Sequence, residues 1–581
     1  MVTLSTLRPI VLFSLFITQS VVAAIDTQID ASRISGVAPL AVFFDATATT
    51  STATEKPFHE LRYTWEFGDQ DAGLWQYGNP DNNNKNQAIG PVAAHVFETP
   101  GTYSVKLTTQ GLNGDTGNGS LTITVQDPNS VFPGKKTICF STMGNFTGCP
   151  DGAREVTTDK FQKAMGHVKA GKRLLFRRGE SWDARGGSTI NNDGPGLIGA
   201  FGNGTRPVIH NTSSEDLIQL SKGRGGRMND WRIMDLELTS SSADSEMIRS
   251  DNTVTNFLLL RLKARNFSRF VSIAADSLHY YKSSSHENLF VVESDFEDSI
   301  IHGSYVAAEG LAYMGNRLKD APNSHVLRIP YANPVIISHN SFLGGACDHC
   351  HILKYHSFGP EDGNYRRQHS SSGQFLIADN IMEHGAQSKW AFALGPQSSN
   401  GDRPENVRMG IIERNYFVAG PDTRVFLALW TSEVTVRNNL FDQTGSKYAV
   451  GVSRRNKEDP PHDNRIYNNT FYSADSGDSL AATFIEPIAS DTIVMNNLLY
   501  TRDGKGAMVS GSADQSGNLI TTGLSQNDPD RFKPVDKAVD GAVNAMVIGD
   551  YENNIRPLSA QYVGAYGSSE RAESSSSSSV Q

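Results

Sequence analysis

Cysteine is nearly missing from this chain. Four occur in 581 residues, and they fall as two close pairs, Cys139 with Cys149 and Cys347 with Cys350. So few thiols exclude a disulfide-dense mini-scaffold, and the close pairing suits disulfides in an oxidising compartment, with free thiols as the other reading. Zinc at Cys347 and Cys350, with His349 and His351 beside them, needs four neighbouring side chains to converge, which the start of a strand rarely allows. Long apolar runs are missing as well, except in MVTLSTLRPIVLFSLFITQSVVAA at the start. There one cation, Arg8, precedes an apolar stretch and the small residues Val22-Ala23-Ala24. Pro9, Thr18, Gln19 and Ser20 shorten that stretch below the roughly 20 residues of a spanning helix, so residues 1–24 read as a signal peptide. The expectation is a secreted, periplasmic or cell-surface protein with no membrane insertion. An excess of basic charge is also absent, since 52 Lys and Arg against 62 Asp and Glu leave a net charge of -10. That balance argues against nucleic acid as a partner, while local basic patches remain open to an anionic ligand. Neither a Ser/His/Asp order nor a phosphate-binding loop is present.

At this length the chain is expected to hold two domains or an elongated repeat stack. Residues 25–126 alternate short apolar and polar stretches between Gly, Pro and Asn turns, the text of a β-sandwich. Three phrases are specific there: SGVAPLAVFFDATAT, YTWEFGDQ and HVFETPGTYSVKLT. Together they resemble the polycystic kidney disease (PKD) type of immunoglobulin-like domain. Trp65 and Phe67 are expected between its sheets, with Gly68-Asp69 in a tight turn, and the domain is read as a spacer without chemistry. A linker over 127–134 leads to a helix in which Thr157 or Thr158 caps a face of Phe161, Ala164, Met165 and Val168, with Gly171 ending it.

Beyond it an Asn, one residue and a large apolar residue recur, starting at Asn316, Asn340, Asn380, Asn415, Asn439, Asn469 and Asn497. Such a period predicts stacked coils, each giving one short strand to each parallel sheet, with the asparagines bonded to one another at one corner. RLLFRRGESW with LIGAFGNGTRPVI, and DYENNIRPLSAQYVGAYG near the end, resemble the first and last coils of right-handed parallel β-helix proteins. The fold class is therefore expected to be all-β, with a right-handed parallel β-helix over 135–567 preceded by the PKD-like sandwich. A serine-rich flexible tail, 568–581, follows.

Counting from each corner asparagine, the next strand begins at His325, His351, Lys389, Arg424 and Tyr448. HVLRIP at His325 and HILKYH at His351 are then one strand position on adjacent coils, which lie about 4.8 Å apart. His325 is expected to stack near His351 and Arg328 near Lys354. Two adjacent cations repel, and an anionic partner or a lowered lysine pKa relieves them. Strict alternation does not bury both apolar residues of each phrase, so a kink is inferred at Leu327 and Leu353. His302 and Tyr305 extend the column toward the amino end and Lys389 toward the other. The loop from His356, holding Tyr365, Arg366, Arg367 and His369, is long enough to wall a groove.

An exported β-helix joined to a PKD module looks like the polysaccharide-degrading proteins of bacteria. Within that fold, the alginate lyases and chondroitinase-B-like enzymes use a Lys and an Arg on adjacent coils for β-elimination at a uronic acid. The resemblance implies a monomeric lyase of an acidic polysaccharide, with Lys354, Arg328, His325 and His351 catalytic. Lys354 would be the base and Arg328 the carboxylate partner, with Lys389, Tyr365, Arg366, Arg367, His356, Tyr305 and His302 binding the sugar. In those enzymes the lysine precedes the arginine; here the order is reversed. Some of them use Ca2+, for which the sequence offers no acidic cluster, so calcium and any metal site are left open. A glycoside hydrolase is the first rival, with Glu361, Asp362, Glu383 and Asp402 near the loops but not paired. A non-catalytic glycan-binding or adhesin protein is the second.

Overall fold

A computed structural model describes residues 24–223, 226–250, 252–274, 286–345, 347, 350–356, 371–385, 389–396, 406–455, 460–523, 532, 547–556 and 562–567. The segments 1–23 and 568–581, read as signal and tail, lie outside the described residues, as do Tyr365, Arg366, Arg367 and His369.

Three parallel sheets run the length of the main body, and each coil supplies one strand to each. The first has 15 described strands, from Arg154–Thr157 to Asp514–Ser516. The second has 13, from Ser181–Ala184 to Leu519–Thr521, and the third has 12, from Ser188–Ile190 to Ala507–Gly511. This is a right-handed parallel β-helix. Its entrance is the helix Phe161–Met165, shorter than expected, because Gly166 already caps it. Phe161, Ala164, Met165 and Val168 are nonetheless all buried in the body's core.

Each repeat corner turns on a residue of positive φ followed by the predicted asparagine: His339 before Asn340, Asp379 before Asn380, Arg414 before Asn415. The left-handed conformation is strained for these side chains, and the asparagine ladder offsets it. Asn340 Nδ2 donates to Asn380 Oδ1 at 2.9 Å and to the Tyr313 carbonyl at 2.9 Å, while its backbone N–H donates to the same Oδ1 at 3.0 Å. The pattern repeats through Asn415, Asn439, Asn469 and Asn497 to Asn518. Two residues after each corner, the apolar side chain enters the core, where Phe417, Phe441 and Phe471 stack at 4.7 and 5.1 Å.

In the amino-terminal sandwich Trp65 and Phe67 pack on Phe44 at 5.6 and 5.5 Å, and Asp69 holds His95 at 2.9 Å. The sandwich is not a free stalk, as a spacer would be. Ala41, Phe43, Phe58, Val92 and Ala94 are buried against Leu258, Leu260, Phe290, Val292, Ala312, Met314, Ile336 and Leu376 on the outer face of the first sheet. Polar contacts seal the same face. Arg232 donates to the Pro39 carbonyl at 2.7 Å, Arg437 to the His59 carbonyl at 2.6 Å, and Asn79 N–H to the Asp379 carbonyl at 2.9 Å. Beneath it Glu413 sits between Arg414 (2.5 Å) and Arg437 (2.6 Å), all three buried. Burial opposes the Glu413 charge, but the two guanidiniums outweigh it and hold the carboxyl down at about 2.

Candidate functional site

The two repeated phrases lie on the third sheet, whose outward side carries, a few coils further on, a buried cluster of Ala393, Val425, Ala428, Trp430, Tyr448 and Ala481. Leu327, Arg328 and Ile329 pair with Leu353, Lys354 and Tyr355. Tyr305 pairs with Arg328 on the preceding coil. Leu327 and Ile329 point into the core with Leu353 and Tyr355, so Tyr305, Arg328 and Lys354 form one outward column. The break in alternation falls one residue earlier than inferred. Val326 with Leu327, and Ile352 with Leu353, all enter the core, because the chain is still turning at Val326 and Ile352 and the strands start at Leu327 and Leu353.

Lys354 is 3% exposed. Its Nζ donates to the carbonyl oxygens of Gly395 and Pro396, each at 2.8 Å, and lies 4.6 Å from the centre of the Trp430 ring. Two carbonyl dipoles and an indole face suit a fixed ammonium, more than a proton acceptor whose lone pair must reach a substrate. Arg328 is half-buried, lies 5.2 Å from the Tyr305 ring centre, and donates from Nε toward His356 Nε2 at 3.4 Å. His356, expected in a loop, is fully buried beside it.

The histidines form a ladder at the start of the same strands. His302 stacks on His325 at 5.5 Å and His325 on His351 at 4.9 Å, within 19° and 11° of parallel. The His351 backbone N–H donates to His325 Nδ1 at 3.1 Å. His351 Nδ1 faces the Trp390 carbonyl at 2.6 Å, which can only accept, so the proton is on Nδ1 and Nε2 carries the lone pair. Burial pushes His302 and His351 down to about 3, helped by Arg328 at the first and by Lys354 and Arg455 at the second. His325 is pushed well below its usual range by burial and by its two histidine neighbours. All three are neutral imidazoles at pH 7.

Lys389 does not continue this column. Leu353 pairs with Phe392, which sets Trp390 opposite His351 and leaves the exposed Lys389 one position early. Trp390 pairs with Val425, so Arg424 is one position early for the same reason. An inserted residue in the preceding corner shifts the count without shifting the sheet.

What the sequence reading missed lies beyond Lys354. Trp390, Trp430, Tyr448, Phe484, Val425, Ala428, Gly451 and Ser453 line a hollow that opens to solvent, with Arg424, Arg454 and Arg455 at its edge. Trp390 and Trp430 meet edge to face at 5.5 Å. The Arg455 guanidinium lies 3.9 Å from the Trp430 ring centre and 4.9 Å from that of Trp390. Among the described residues lining this hollow none is an Asp or Glu. The available signals were the paired arginines of VSRRN and two tryptophans 40 positions apart, Trp390 and Trp430, each near an end of its strand.

The sulfur pairs are both disulfides, Cys139–Cys149 and Cys347–Cys350, which sets aside zinc on the second pair. Of the four carboxylates considered for hydrolysis only Glu383 is described, and it is on the second sheet. Among the described residues no group of three His, Cys, Asp or Glu is placed to hold a metal ion, and no helix is long and apolar enough to cross a membrane.

Residues 35–126 match the PKD domain family, which covers the amino-terminal sandwich. No curated protein matches the chain at a significant level. Among solved structures, the chain is similar to a family 28 exopolygalacturonase from Yersinia enterocolitica, at 9% identity over 88% of this chain and 100% of that one, with a TM-score of 0.40. It is also similar to the pectate lyase Pel9A (14% identity, 74% and 96% covered, TM-score 0.33). A PL6 family polysaccharide lyase from Pseudopedobacter saltans is a third (13% identity, 69% and 96% covered, TM-score 0.30). At these values the fold rests on the strand pairing described above.

Proposed function

We propose that this protein is an exported polysaccharide-active enzyme that binds an acidic, uronate-containing chain on the open face of the third sheet and cleaves it by β-elimination. One observation carries the reading: Arg328 and Lys354 are adjacent on that face, and beyond them Arg455 lies over Trp390 and Trp430 at a hollow with no carboxylate among its described lining residues. Elimination needs the uronate carboxylate neutralised so that the C5 proton is acidic, a base to take that proton, and a proton for the leaving oxygen. Half-exposed Arg328 is the group to pair with the carboxylate, and Lys354 is a fixed positive charge on the neighbouring strand. The C5–H bond then breaks as a base takes the proton, a C4–C5 double bond forms, and the C4–O bond breaks as its oxygen takes a proton from water.

His351 is the base in this scheme, because its Nε2 lone pair is held ready by the Nδ1 bond to Trp390. In the free protein burial, Lys354 and Arg455 keep it at about 3. A bound carboxylate offsets those two cations and raises its basicity, so the base strengthens only when substrate is present. His325 stacks on it and Tyr305 carries Arg328, which makes them positioning residues.

The test is incubation of the purified protein with alginate, pectate and glycosaminoglycans, following the absorbance of unsaturated uronate. Rising absorbance supports elimination. New reducing ends without it would mean hydrolysis, and neither would leave a binding protein.

A further inference from the structure

Past Lys354 the outward column of the third sheet loses its side chains. Ala393, Ala428 and Gly451 follow in register, and only then Phe484 and Ser510. Ala393 is packed in the Trp430 cluster, and Ala428 and Gly451 floor a trough over two coils, roughly 10 Å at about 4.8 Å per strand. It runs along the stacking axis of the coils, away from Arg328 and Lys354. Trp390 and Trp430 stand at its Lys354 end, and Tyr448 and Phe484 at the other. A second hollow, lined by Tyr448, Ala481, Ala507 and Ser510 and by the Lys505–Asp478 ion pair (3.0 Å), continues it over the next coils.

Arg455 is the unusual group here. It is packed over both indole rings, which partly strip its hydration, and its Nε has no acceptor among the described residues. Among the described residues no carboxylate lines the hollow to pair with it, the nearby Glu486 accepting from the Arg454 backbone N–H at 2.6 Å, and Arg424 and Arg454 add like charge at the rim. A desolvated guanidinium without a counter-anion is costly, and its planar fork fits a carboxylate or sulfate. The aromatic walls fit the apolar faces of sugar rings.

We infer that the trough is a saccharide cleft in which the chain lies along the stacking axis, and that Arg455 clamps the acidic group of a unit neighbouring the one held at Arg328 and Lys354. The substrate is then a contiguous polyanion, with acidic groups on successive units, and not a chain in which acidic and neutral units alternate. This inference rests on the reading of the Arg328–Lys354 column as a uronate site.

Trp390 and Trp430 provide the readout, by tryptophan fluorescence titration of the full chain with polygalacturonate, polymannuronate, heparin, hyaluronan and dextran. At least one of the first three is expected to bind saturably and about ten-fold or more tighter than hyaluronan, which alternates acidic and neutral units, with dextran inert. The two polyuronates against heparin distinguish a carboxylate from a sulfate clamp. Arg455→Ala should weaken the tight polyanion by about ten-fold or more, down to the hyaluronan level. Arg455→Lys, which keeps the charge and loses the fork, should recover only part of it, and serves alone if the alanine variant does not fold. Hyaluronan or dextran binding as tightly as the polyanions would overturn the inference. So would Arg455 variants of unchanged melting temperature that keep the affinity within about two-fold. Unsaturated-uronate absorbance is read in the same samples. Arg455-dependent binding without absorbance sustains the cleft and sinks elimination, while absorbance without Arg455 dependence does the reverse.

Discussion

The outer faces of the first and third sheets are built from the same coils and do opposite things. On the first, Leu258, Leu260, Phe290, Val292, Ala312 and Met314 meet Phe43, Phe58 and Val92 of the sandwich and are buried. On the third, Tyr305, Arg328 and Lys354 hold the equivalent outward positions and lead into an open trough. Strands of the first sheet are apolar on both faces, so a second layer must cover them. Those of the third are apolar inward, and outward they change from the charged column of Arg328 and Lys354 to the aromatic cluster of Trp390, Trp430 and Tyr448. The difference teaches that one face of the coil stack is closed by a second domain while another keeps a charged column, and that the small domain belongs to the stability side.

Removing the cover is the largest way to break that comparison. Deleting residues 25–126 exposes a contiguous apolar sheet face, a larger patch than soluble monomers normally present. The truncated chain is expected to aggregate or to melt far below the full chain. A soluble monomer with the parent's melting temperature would show that the interface is incidental.

Next in size is Glu413, whose loss takes the carboxylate from buried Arg437 while Arg414 keeps its pair with Asp379 at 3.0 Å. Glu413→Ala should cost about 3–5 kcal/mol in denaturant unfolding, as for a buried pair broken on one side. A loss below about 1 kcal/mol would mean that water or rearrangement satisfies Arg437.

On the open face the expected loss is in rate. Lys354→Met removes the charge and keeps the packing volume, and turnover on a cleaved polyuronate should fall by about 10²-fold or more. The drop in melting temperature should be smaller than that of Glu413→Ala. Full activity in this variant would make the adjacent cations structural and move the chemistry to Arg455.

The smallest effect is in pH. The unfolded chain's histidines bind protons near pH 6.5, while His302 and His351 in the native ladder resist protonation to about 3. Over that window the unfolded state binds more protons, so stability falls as pH falls from about 6.5 to 3, and above 6.5 the two contribute no slope. Glu413, held at about 2, adds loss in the same direction below about pH 4.3. His351→Gln should flatten the decline of melting temperature between pH 6.5 and 4. An undiminished slope would mean that the ladder already protonates in the native state.

The coil stack was legible because its signal is local and repeated. An asparagine that must bond to the next asparagine appears at every corner, and the phrase from His325 recurs at His351 because adjacent strands share one environment. Lys389 shows the limit, since counting along the chain cannot tell an insertion in a corner from one in a strand. The docked sandwich also left a trace, in unbroken apolar runs such as Phe257–Leu260 and Leu289–Val292. Such a run says that both faces are buried without saying by what.

By itself the sequence determined the all-β class, the repeat, the sandwich and the adjacency of Arg328 and Lys354, because each follows from patterns within one or two coils. Only the tertiary structure decided that Lys354 is sunk between two carbonyl oxygens, that the histidines are a neutral ladder, and that Trp390, Trp430 and Arg455 meet. Those facts depend on the exact register of strands 23 to 65 residues apart along the chain. One inserted residue changes which side chains share a coil, and no local pattern records it.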